Sequence, residues 1–333
     1  MYRDQNVRKG VVIITLILGI VFSLGEAKNY NQGPDVDDIY ASIRYSAPMY
    51  EWEESIVTFE NEGMTLVCTL TIPQTQKKCS IVITLVGFYG TRDGDLNPTT
   101  GEKSFKRISR IMAEQGVASL RVDYRGTGDS EGDYTMTTFS TQISDTMAAV
   151  DYIKSELKHQ VNSKSIGILG FSQGGLVGSC TAARDKEVDS LVLWSATAFP
   201  AHDYEGVLSK QGIKDGLALQ NSESITLPFM VEGTYLFDVE LGKGFFEELF
   251  SVDPLAEIRN YNGPIMYVAG TQDIIVWPQP GIGQTFLKYH DGYEKLVVLN
   301  ADHVLKYWEP VPETYDDAIY WSTAWFIKTL KDK

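Results

Sequence analysis

The run Gly170-Phe171-Ser172-Gln173-Gly174 contains the residues of this chain best suited to covalent chemistry. In the pattern G-x-S-x-G the serine lies on a sharp turn, where the glycines avoid collisions between close side chains. A short apolar run, 165–169, precedes the turn, and small and apolar residues follow it at 175–183. Strand, turn and helix in this order favour a nucleophile elbow, with the hydroxyl of Ser172 exposed above a sheet edge, over a merely structural Gly-Ser turn.

A base must accept the proton of the serine hydroxyl before the oxygen can attack a carbonyl carbon, and histidine most often does so. The chain has four histidines. His303 follows the last predicted strand, at the sheet edge where reactive loops gather and where the chain order Ser, Asp, His places the base. His159 and His290 end helices at the opposite edge, and His202 begins an inserted segment. We therefore predict that His303 is the base, rather than a structural histidine.

The acid that orients the imidazole should leave a strand between Ser172 and His303. Asp273 meets this condition, because it ends Gly270-Thr271-Gln272-Asp273 directly after the penultimate predicted strand. Asp302 is the rival, but its carboxylate is badly placed to reach the ring of its own neighbour. Asp253 precedes a predicted helix and is better explained as its N-cap.

The oxyanion of the tetrahedral intermediate needs two preorganised N–H donors. One is the backbone N–H of Gln173, the residue after the nucleophile. The second is expected from the loop after the early strand, where Phe88 follows Gly87. An ordinary glycine turn at 87–90 is the alternative interpretation of that loop.

Alternating strand and helix patterns supply the scaffold for these residues. They predict an α/β fold with a mostly parallel central sheet and helices on both faces. The predicted strands are 56–60, 64–72, 80–86, 117–122, 165–169, 190–194, 264–269 and 295–299, and the helices are 103–115, 140–158, 175–183, 254–259, 281–290 and 312–328.

The alternation stops near residue 198 and resumes at 254. The mixed, aromatic segment at about 198–252 has the size of a cap subdomain inserted over the active site. We therefore assign residues 55–333 to one catalytic domain with this insertion. Residues 28–54, which are polar and rich in tyrosine, are expected to form an N-terminal extension with one helical turn near 37–42.

The first 27 residues have the pattern of a signal peptide. Three basic residues precede an apolar run at 11–24, and small residues at 25 and 27 permit cleavage after Ala27. An uncleaved membrane anchor is the alternative, but the run is shorter than the roughly 20 residues that span a bilayer. The sequence therefore predicts a secreted or periplasmic protein with no stable membrane association after cleavage.

Composition and charge exclude several other classes. The net charge of −15 argues against nucleic acid and anionic lipid as partners. Three cysteines form no disulfide framework, and a simple hairpin of strands 64–72 and 80–86 would not bring Cys68 opposite Cys79. No pair of cysteines or histidines has the spacing of metal ligands, so we expect neither a metal nor a cofactor.

These residues together resemble the α/β-hydrolase-fold serine esterases, and most of all the bacterial cinnamoyl (feruloyl) esterases. The resemblance covers roughly Phe59 to the C terminus. The motifs that carry it are Gly87-Phe88, the Asp-x-Arg-Gly-x-Gly-x-Ser run at 123–130, the elbow with the following Gly175, Gly-Thr-Gln-Asp at 270–273 and Ala-Asp-His at 301–303.

The resemblance implies a serine carboxylic-ester hydrolase that acts through an acyl-enzyme on hydroxycinnamoyl esters of plant polysaccharide. It also implies oxyanion donors at the positions of Phe88 and Gln173, and a small cap over the acyl pocket. An Asp and a Tyr of that cap would approach the phenolic end of the substrate. Asp203 and Tyr235 match them best, and Gln211 is a weaker third candidate. The alternative is a solvated Asp and a packing Tyr.

One position departs from the resemblance, since Val86 stands where the family usually has a histidine before the Gly-Phe pair. The oxyanion donor is a backbone group, so the departure affects how the loop is braced. Arg125 is expected to brace loops rather than take part in chemistry.

Three other functions stay open at this stage. A serine peptidase would usually need a charged cluster for a substrate terminus, and a lipid-acyl hydrolase a larger apolar lid. A catalytically inactive binding protein would have no use for all of these site residues.

Overall fold

The computed structural model describes residues 35–330. The predicted signal peptide, residues 28–34 of the predicted extension and the last three residues lie outside the described part. Among the described residues, no helix has the length and apolar character needed to cross a membrane.

The first half of the described chain alternates strands and helices, as the sequence predicts. Its elements are α1 (Val36–Arg44), β1 (Trp52–Asn61), β2 (Met64–Pro73), β3 (Ile81–Leu85), α2 (Ser104–Glu114), β4 (Ala118–Val122), α3 (Phe139–Ser155), β5 (Ile166–Phe171), α4 (Gln173–Arg184) and β6 (Val188–Trp194). The elements after β6 are α5 (Pro200–Leu208), α6 (Lys210–Leu217), β7 (Ser224–Val231), β8 (Thr234–Gly242), α7 (Lys243–Glu248), α8 (Pro254–Ile258), β9 (Ile265–Gly270), α9 (Gly281–Tyr289), β10 (Glu294–Leu299) and α10 (Glu313–Thr329).

Eight strands form one twisted sheet in the order β1-β2-β4-β3-β5-β6-β9-β10. The pairs β1–β2 and β2–β4 are antiparallel, and all other neighbours are parallel. Every residue of β3, β4 and β9 is buried, which explains why these strands are continuous apolar runs in the sequence. Helices α2 and α10 pack together, and α3, α4 and α8 form a separate packed group around β5 and β6.

The predicted strands are all present, but two details of the early sheet differ. Strand β1 begins at Trp52 rather than at residue 56, because its whole length pairs with β2 at the sheet edge. Strands β2 and β3 are not a hairpin, since β4 lies between them. Cys68, Cys79 and Cys180 are free thiols and buried.

The predicted helical turn in the N-terminal extension is a full helix, α1. Val36 and Ile43 are buried on one face, and the side chain of Asp35 caps the first turn. The ring of Tyr40 stacks on Trp321 of α10 with 3.9 Å between centroids, and Arg44 pairs with Asp317. The extension is therefore packed against the last helix of the domain.

Five elements, α5 to α7, lie between β6 and α8 and form what we call the cap, residues 200–248. The hairpin of β7 and β8 is a separate two-stranded sheet that was not predicted. Its turn places Glu232 and Gly233 at positive φ, the conformation that two-residue hairpin turns require. The aromatic residues of the segment obscured this strand signal because they face both the cavity and solvent.

Candidate active site

Ser172 lies between β5 and α4 with φ of 54° and ψ of −118°. A non-glycine residue at positive φ is strained, and this one is held by backbone hydrogen bonds to its N–H and to its carbonyl. Its N–H donates to the carbonyl of Trp194 at 2.9 Å, and its carbonyl accepts from Gly175 at 2.9 Å and Thr197 at 3.1 Å. The backbone of the neighbouring strand and of the following helix therefore fixes the direction of the serine side chain.

The glycines on both sides of the nucleophile are sterically required. A Cβ at Gly170 would overlap the carbonyl oxygen of Gly174. A Cβ at Gly174 would in turn overlap the carbonyl oxygens of Leu85 and Val86, at the end of β3. The turn, the start of α4 and the end of β3 thus touch through bare backbone, as the pattern of the sequence predicts.

The structure brings Ser172, His303 and Asp273 into one hydrogen-bonded chain. His303 Nε2 lies 3.0 Å from Ser172 Oγ, and His303 Nδ1 lies 2.8 Å from Asp273 Oδ2. A carboxylate only accepts hydrogen bonds, so the neutral ring carries its hydrogen on Nδ1 and accepts the serine proton at Nε2. All three residues are at least nine-tenths buried, which strengthens these interactions by excluding water.

The second oxygen of the acid is also occupied. Asp273 Oδ1 accepts from the N–H groups of Ile275 and Val276, both at 2.9 Å. These bonds hold the carboxylate in the plane that suits the imidazole. The two rival acids serve other purposes, because Asp302 accepts from the N–H of Lys306 and Asp253 caps α8.

The other three histidines lie away from the nucleophile. His290 is buried, with Nδ1 2.9 Å from Glu294 Oε1 and Nε2 2.8 Å from the carbonyl oxygen of Gly263. His159 is exposed after α3. His202 is exposed on α5, with its ring beside that of Trp277. Of the four histidines, which all lie among the described residues, only His303 is within hydrogen-bond distance of the Ser172 hydroxyl.

The predicted oxyanion donors lie on two elements that meet at the nucleophile. Gln173 is the first residue of α4, and Phe88 lies in the turn 87–90, which is closed by a 3.2 Å bond from Gly90 N–H to Gly87 O. A Cβ at Gly87 would lie 3.3 Å from Cβ of Ser172, so the turn is packed against the elbow. Neither the Phe88 nor the Gln173 N–H donates to a protein acceptor within residues 35–330.

The turn is braced by aromatic residues, and Val86 stands where the resemblance leads us to expect a histidine. Val86 is buried, with its side chain beside Gly90. The hydroxyl of Tyr134 accepts from the N–H of Tyr89 at 3.0 Å. The ring of Phe88 packs against rings of the cap, including Phe229 at 5.5 Å between centroids.

A side-chain relay that no local sequence signal marks links the cap to the oxyanion region. Tyr204 of α5 donates from its hydroxyl to Gln173 Oε1, and Gln173 Nε2 donates to Gln142 Oε1 at 2.7 Å. All three residues are buried, and burial raises the pKa of the Tyr204 hydroxyl, which therefore stays protonated. The tyrosine ring also packs at 5.3 Å against that of Phe88. Tyr204 thus contacts the residues of both predicted oxyanion donors.

Arg125 has the bracing position that the sequence analysis expects. Its guanidinium is buried and bonds to Asp145 of α3 and to Glu62 of the β1–β2 turn. It contacts neither Ser172 nor His303, so it joins loops at some distance from the reacting groups.

A cavity of about 390 Å³ opens beside Ser172 and His303. Its walls come largely from the oxyanion turn, the cap and the loop after β10, and they are mainly apolar and rich in aromatic side chains. This volume lies at the small end of the range for small-molecule sites. The aromatic residues among its walls are Phe88, Phe105, Phe171, Trp194, Tyr204, Phe229, Phe237, Tyr307, Trp308 and Tyr315.

Asp203 is the buried carboxyl group of this cavity wall. It is 5% exposed, and neither Oδ atom makes a well-formed hydrogen bond among the described residues. Burial raises its pKa to about 7, and the nearby charge of Asp273 acts in the same direction, while the backbone N–H groups of Phe199 and Ala198 act in the opposite direction. A buried group without a partner costs free energy, so Asp203 is suited to a ligand that offers a hydrogen-bond donor.

The other two predicted cap residues do not line the cavity. Tyr235 is 55% exposed, because a bulge in β7–β8 shifts the register and leaves Leu236 and Phe237 in the wall instead. Gln211 lies on the outer face of α6, where it bonds to Asp215 at 2.7 Å. Both positions correct the expectation drawn from the resemblance.

No cluster of His, Cys, Asp and Glu side chains suited to a metal ion occurs in the part of the chain that the structure describes.

One protein family matches about half of the chain. Residues 62–225 match the family described as X-Pro dipeptidyl-peptidase (S15 family). A curated relative, described as an uncharacterized 31.7 kDa protein of the traX-finO intergenic region of Escherichia coli, is 28% identical over 132 residues. That match covers 40% of this chain and 42% of the relative, so it spans less than half the length of each.

Solved structures match much more of the chain. Est1E from Butyrivibrio proteoclasticus, solved with ferulic acid bound, is 24% identical, has a TM-score of 0.58, and is matched over 74% of this chain and 90% of its own. The α/β hydrolase GrgF from Penicillium sp. sh18 is 20% identical, with a TM-score of 0.62 over 76% of this chain and 92% of its own. This chain therefore has the α/β-hydrolase fold, as the resemblance implied.

Proposed function

We propose that this chain is a serine hydrolase that cleaves carboxylic esters through an acyl-enzyme. The observation that carries this proposal is the hydrogen-bonded chain from Ser172 through His303 to Asp273, beside two free N–H donors. A nucleophile, a base, an orienting acid and an oxyanion site are the parts that acyl transfer needs.

In the first half of the reaction, Oγ of Ser172 attacks the ester carbonyl carbon while its proton passes to Nε2 of His303. The carbonyl electron pair moves onto oxygen, and the N–H groups of Phe88 and Gln173 hold that negative charge. The Asp273 carboxylate stabilises the imidazolium without taking its proton. When the tetrahedral intermediate collapses, the carbon–oxygen bond to the alcohol breaks and Nε2 returns the proton to the leaving oxygen.

In the second half, water replaces the alcohol. His303 accepts one water proton as the hydroxide oxygen bonds to the acyl carbon, and the same two N–H groups hold the second oxyanion. The bond from carbon to Ser172 Oγ then breaks, the proton returns to Oγ and the carboxylic acid leaves. The balance needs only ester and water, and no cofactor takes part.

For the substrate class, we propose hydroxycinnamoyl esters such as those of ferulate on plant polysaccharide. The aromatic cavity walls suit a planar phenylpropenoyl group, and Asp203 offers an unpartnered acceptor for a phenolic hydroxyl. The fold shared with Est1E, which was solved with ferulic acid, supports the same class.

A serine peptidase is the second candidate, and the match of residues 62–225 to the S15 family favours it. A lipid-acyl hydrolase or an inactive binding protein has no comparable observation in its favour. The peptidase and esterase share the triad chemistry, so only substrates separate them.

The deciding experiment measures hydrolysis of methyl ferulate, p-nitrophenyl acetate and an X-Pro-p-nitroanilide by the mature chain and by S172A. We expect both esters to be cleaved by the parent, and S172A to lose activity by a factor on the order of 10⁴ or more. Cleavage of the anilide alone would favour the peptidase. Cleavage of p-nitrophenyl acetate without methyl ferulate would keep ester hydrolysis and remove the hydroxycinnamoyl class.

We also propose that residues 1–27 direct export and are removed, and that the mature protein binds neither membranes nor nucleic acid. The basic and apolar order of these residues and the net charge of −15 support this. N-terminal sequencing of protein from the surrounding medium or periplasm tests it. A mature chain that begins at Met1 in the membrane fraction would contradict it.

A further inference from the structure

The mouth of the active-site cavity is formed by only a few exposed side chains. Of the residues that line the cavity, Asp95, Leu236 and Trp308 are exposed, and the others are buried or partly buried. Leu236 belongs to the cap. Asp95 and Trp308 belong to two loops of the catalytic domain, one after β3 and one after β10.

The size of the cavity decides what passes this mouth. A volume of about 390 Å³ holds one small acyl group and excludes a polymer chain. When the acyl group of an ester lies inside at Ser172, the alcohol part must extend outward. The exposed lining residues Asp95, Leu236 and Trp308 are then the side chains available to contact it.

The backbone that carries Trp308 is anchored by a buried side chain of the opposite loop. Nδ2 of Asn97, which is fully buried, donates to the carbonyl oxygens of Tyr307 at 2.6 Å and Glu309 at 3.1 Å. These two carbonyls flank Trp308 in the chain. The backbone on both sides of Trp308 is therefore tied to the opposite loop by a buried side-chain amide.

Asn97 also joins the two loops of the mouth through its backbone. The backbone N–H of Asn97 donates to the hydroxyl of Tyr307 at 3.1 Å, and Asp95 lies two residues before it. The Asp95 carboxylate makes no hydrogen bond or ion pair within residues 35–330. An apolar ring and an open acceptor thus line the same cavity, on two loops that Asn97 joins.

We propose that Trp308 and Asp95 form a subsite for a carbohydrate alcohol, the sugar residue from which the acyl group is removed. The C–H face of a sugar ring is apolar and packs on an aromatic face, while its hydroxyls donate to a carboxylate. This inference rests on the proposed ester hydrolysis at Ser172, and it concerns the leaving alcohol rather than the acyl group.

The test compares two ferulate esters that differ only in the alcohol, methyl ferulate and ferulate on the arabinose of a xylo-oligosaccharide. For W308A we expect kcat/KM on the sugar ester to fall on the order of tenfold further than kcat/KM on methyl ferulate, mainly through KM. W308F should keep most of the parent activity on the sugar ester. D95N should lose part of the parent activity on the sugar ester.

Trp277 provides the matched control, because it is 53% exposed against 48% for Trp308 and lines a neighbouring cavity instead. W277A should leave both substrates unaffected. Equal losses on both esters in W308A, or no loss on either, would overturn the carbohydrate subsite. Ester hydrolysis would still stand in that case, because the parent cleaves both esters.

Failure of the proposed function would have a different signature. If the parent cleaves neither ester, calorimetry with an arabinoxylo-oligosaccharide that carries no ester decides the subsite alone. Binding by the parent that weakens at least fivefold in W308A and not in W277A supports the subsite. A parent that binds no oligosaccharide overturns it.

Discussion

The elbow around Ser172 and the cap above it are built by different kinds of contact. At the elbow, backbone touches backbone, and the glycines at 170 and 174 leave no room for a side chain. In the cap, aromatic side chains and one tyrosine hydroxyl make the contacts to the oxyanion region. The elbow therefore tolerates almost no change, whereas the cap permits graded adjustment of the same site.

A methyl group added in each region should have opposite effects. G174A places a Cβ against the end of β3, so we expect unfolding free energy to fall by about 2–3 kcal/mol and kcat/KM to fall on the order of 100-fold. Gly206 on α5 has open space, and G206A should raise stability by about 0.5–1 kcal/mol. Denaturant unfolding and p-nitrophenyl acetate hydrolysis measure both. Full stability and activity in G174A would contradict the backbone contact.

The buried carboxyl of the cap should make stability depend on pH. Asp203 has a folded pKa of about 7, well above that of an exposed aspartate, so the folded state binds more protons between about pH 4 and pH 7. Its contribution to stability is therefore full at low pH and declines as pH rises through this window.

Replacing that carboxyl by an amide removes the titration. Between about pH 4 and pH 8 we expect the parent to lose on the order of 2–4 kcal/mol of unfolding free energy relative to D203N. Denaturant titrations at several pH values measure the difference. D215N, at an exposed aspartate of α6, is the control and should follow the parent. Parallel pH curves for D203N and the parent would contradict burial of an unpartnered carboxyl.

The smallest effect is expected from the relay between cap and elbow. Y204F removes one buried hydrogen bond to Gln173, worth about 1 kcal/mol, so kcat should fall about five- to tenfold with little change in KM. Affinity for a boronic acid that mimics the tetrahedral intermediate should fall by the same factor. Y89F, which alters an exposed ring on the oxyanion turn, should have almost no effect. An unchanged kcat in Y204F would show that the Tyr204 hydroxyl does not contribute to stabilisation of the oxyanion.

The same contrast explains which features the sequence could predict. Local sequence patterns mark the elbow, the strand before it and the positions of Asp273 and His303. In the structure, the side chains of Ser172, His303 and Asp273 lie at hydrogen-bond distances from one another in sequence. Tyr204 could not be found in this way, because its partner Gln173 is 31 residues distant and nothing local marks the pair.

Two of the three cap residues expected from resemblance, Tyr235 and Gln211, do not line the cavity for a related reason, whereas Asp203 does. A single bulge at Phe229–Met230 decides whether Tyr235 or Leu236 faces the cavity, and a shift of one residue reverses the faces of a strand. Gln211 lies on a short helix whose outer face cannot be told from its inner face without its packing partners.

The stacking of Tyr40 on Trp321 bears on the order in which the protein can be completed. Tyr40 also bonds to Asp317, 277 residues further along the chain, so α1 has no finished surface to pack on until α10 has been made. During synthesis, α1 must therefore wait for α10, the last described helix. A chain truncated before residue 317 would leave α1 without the helix on which it packs.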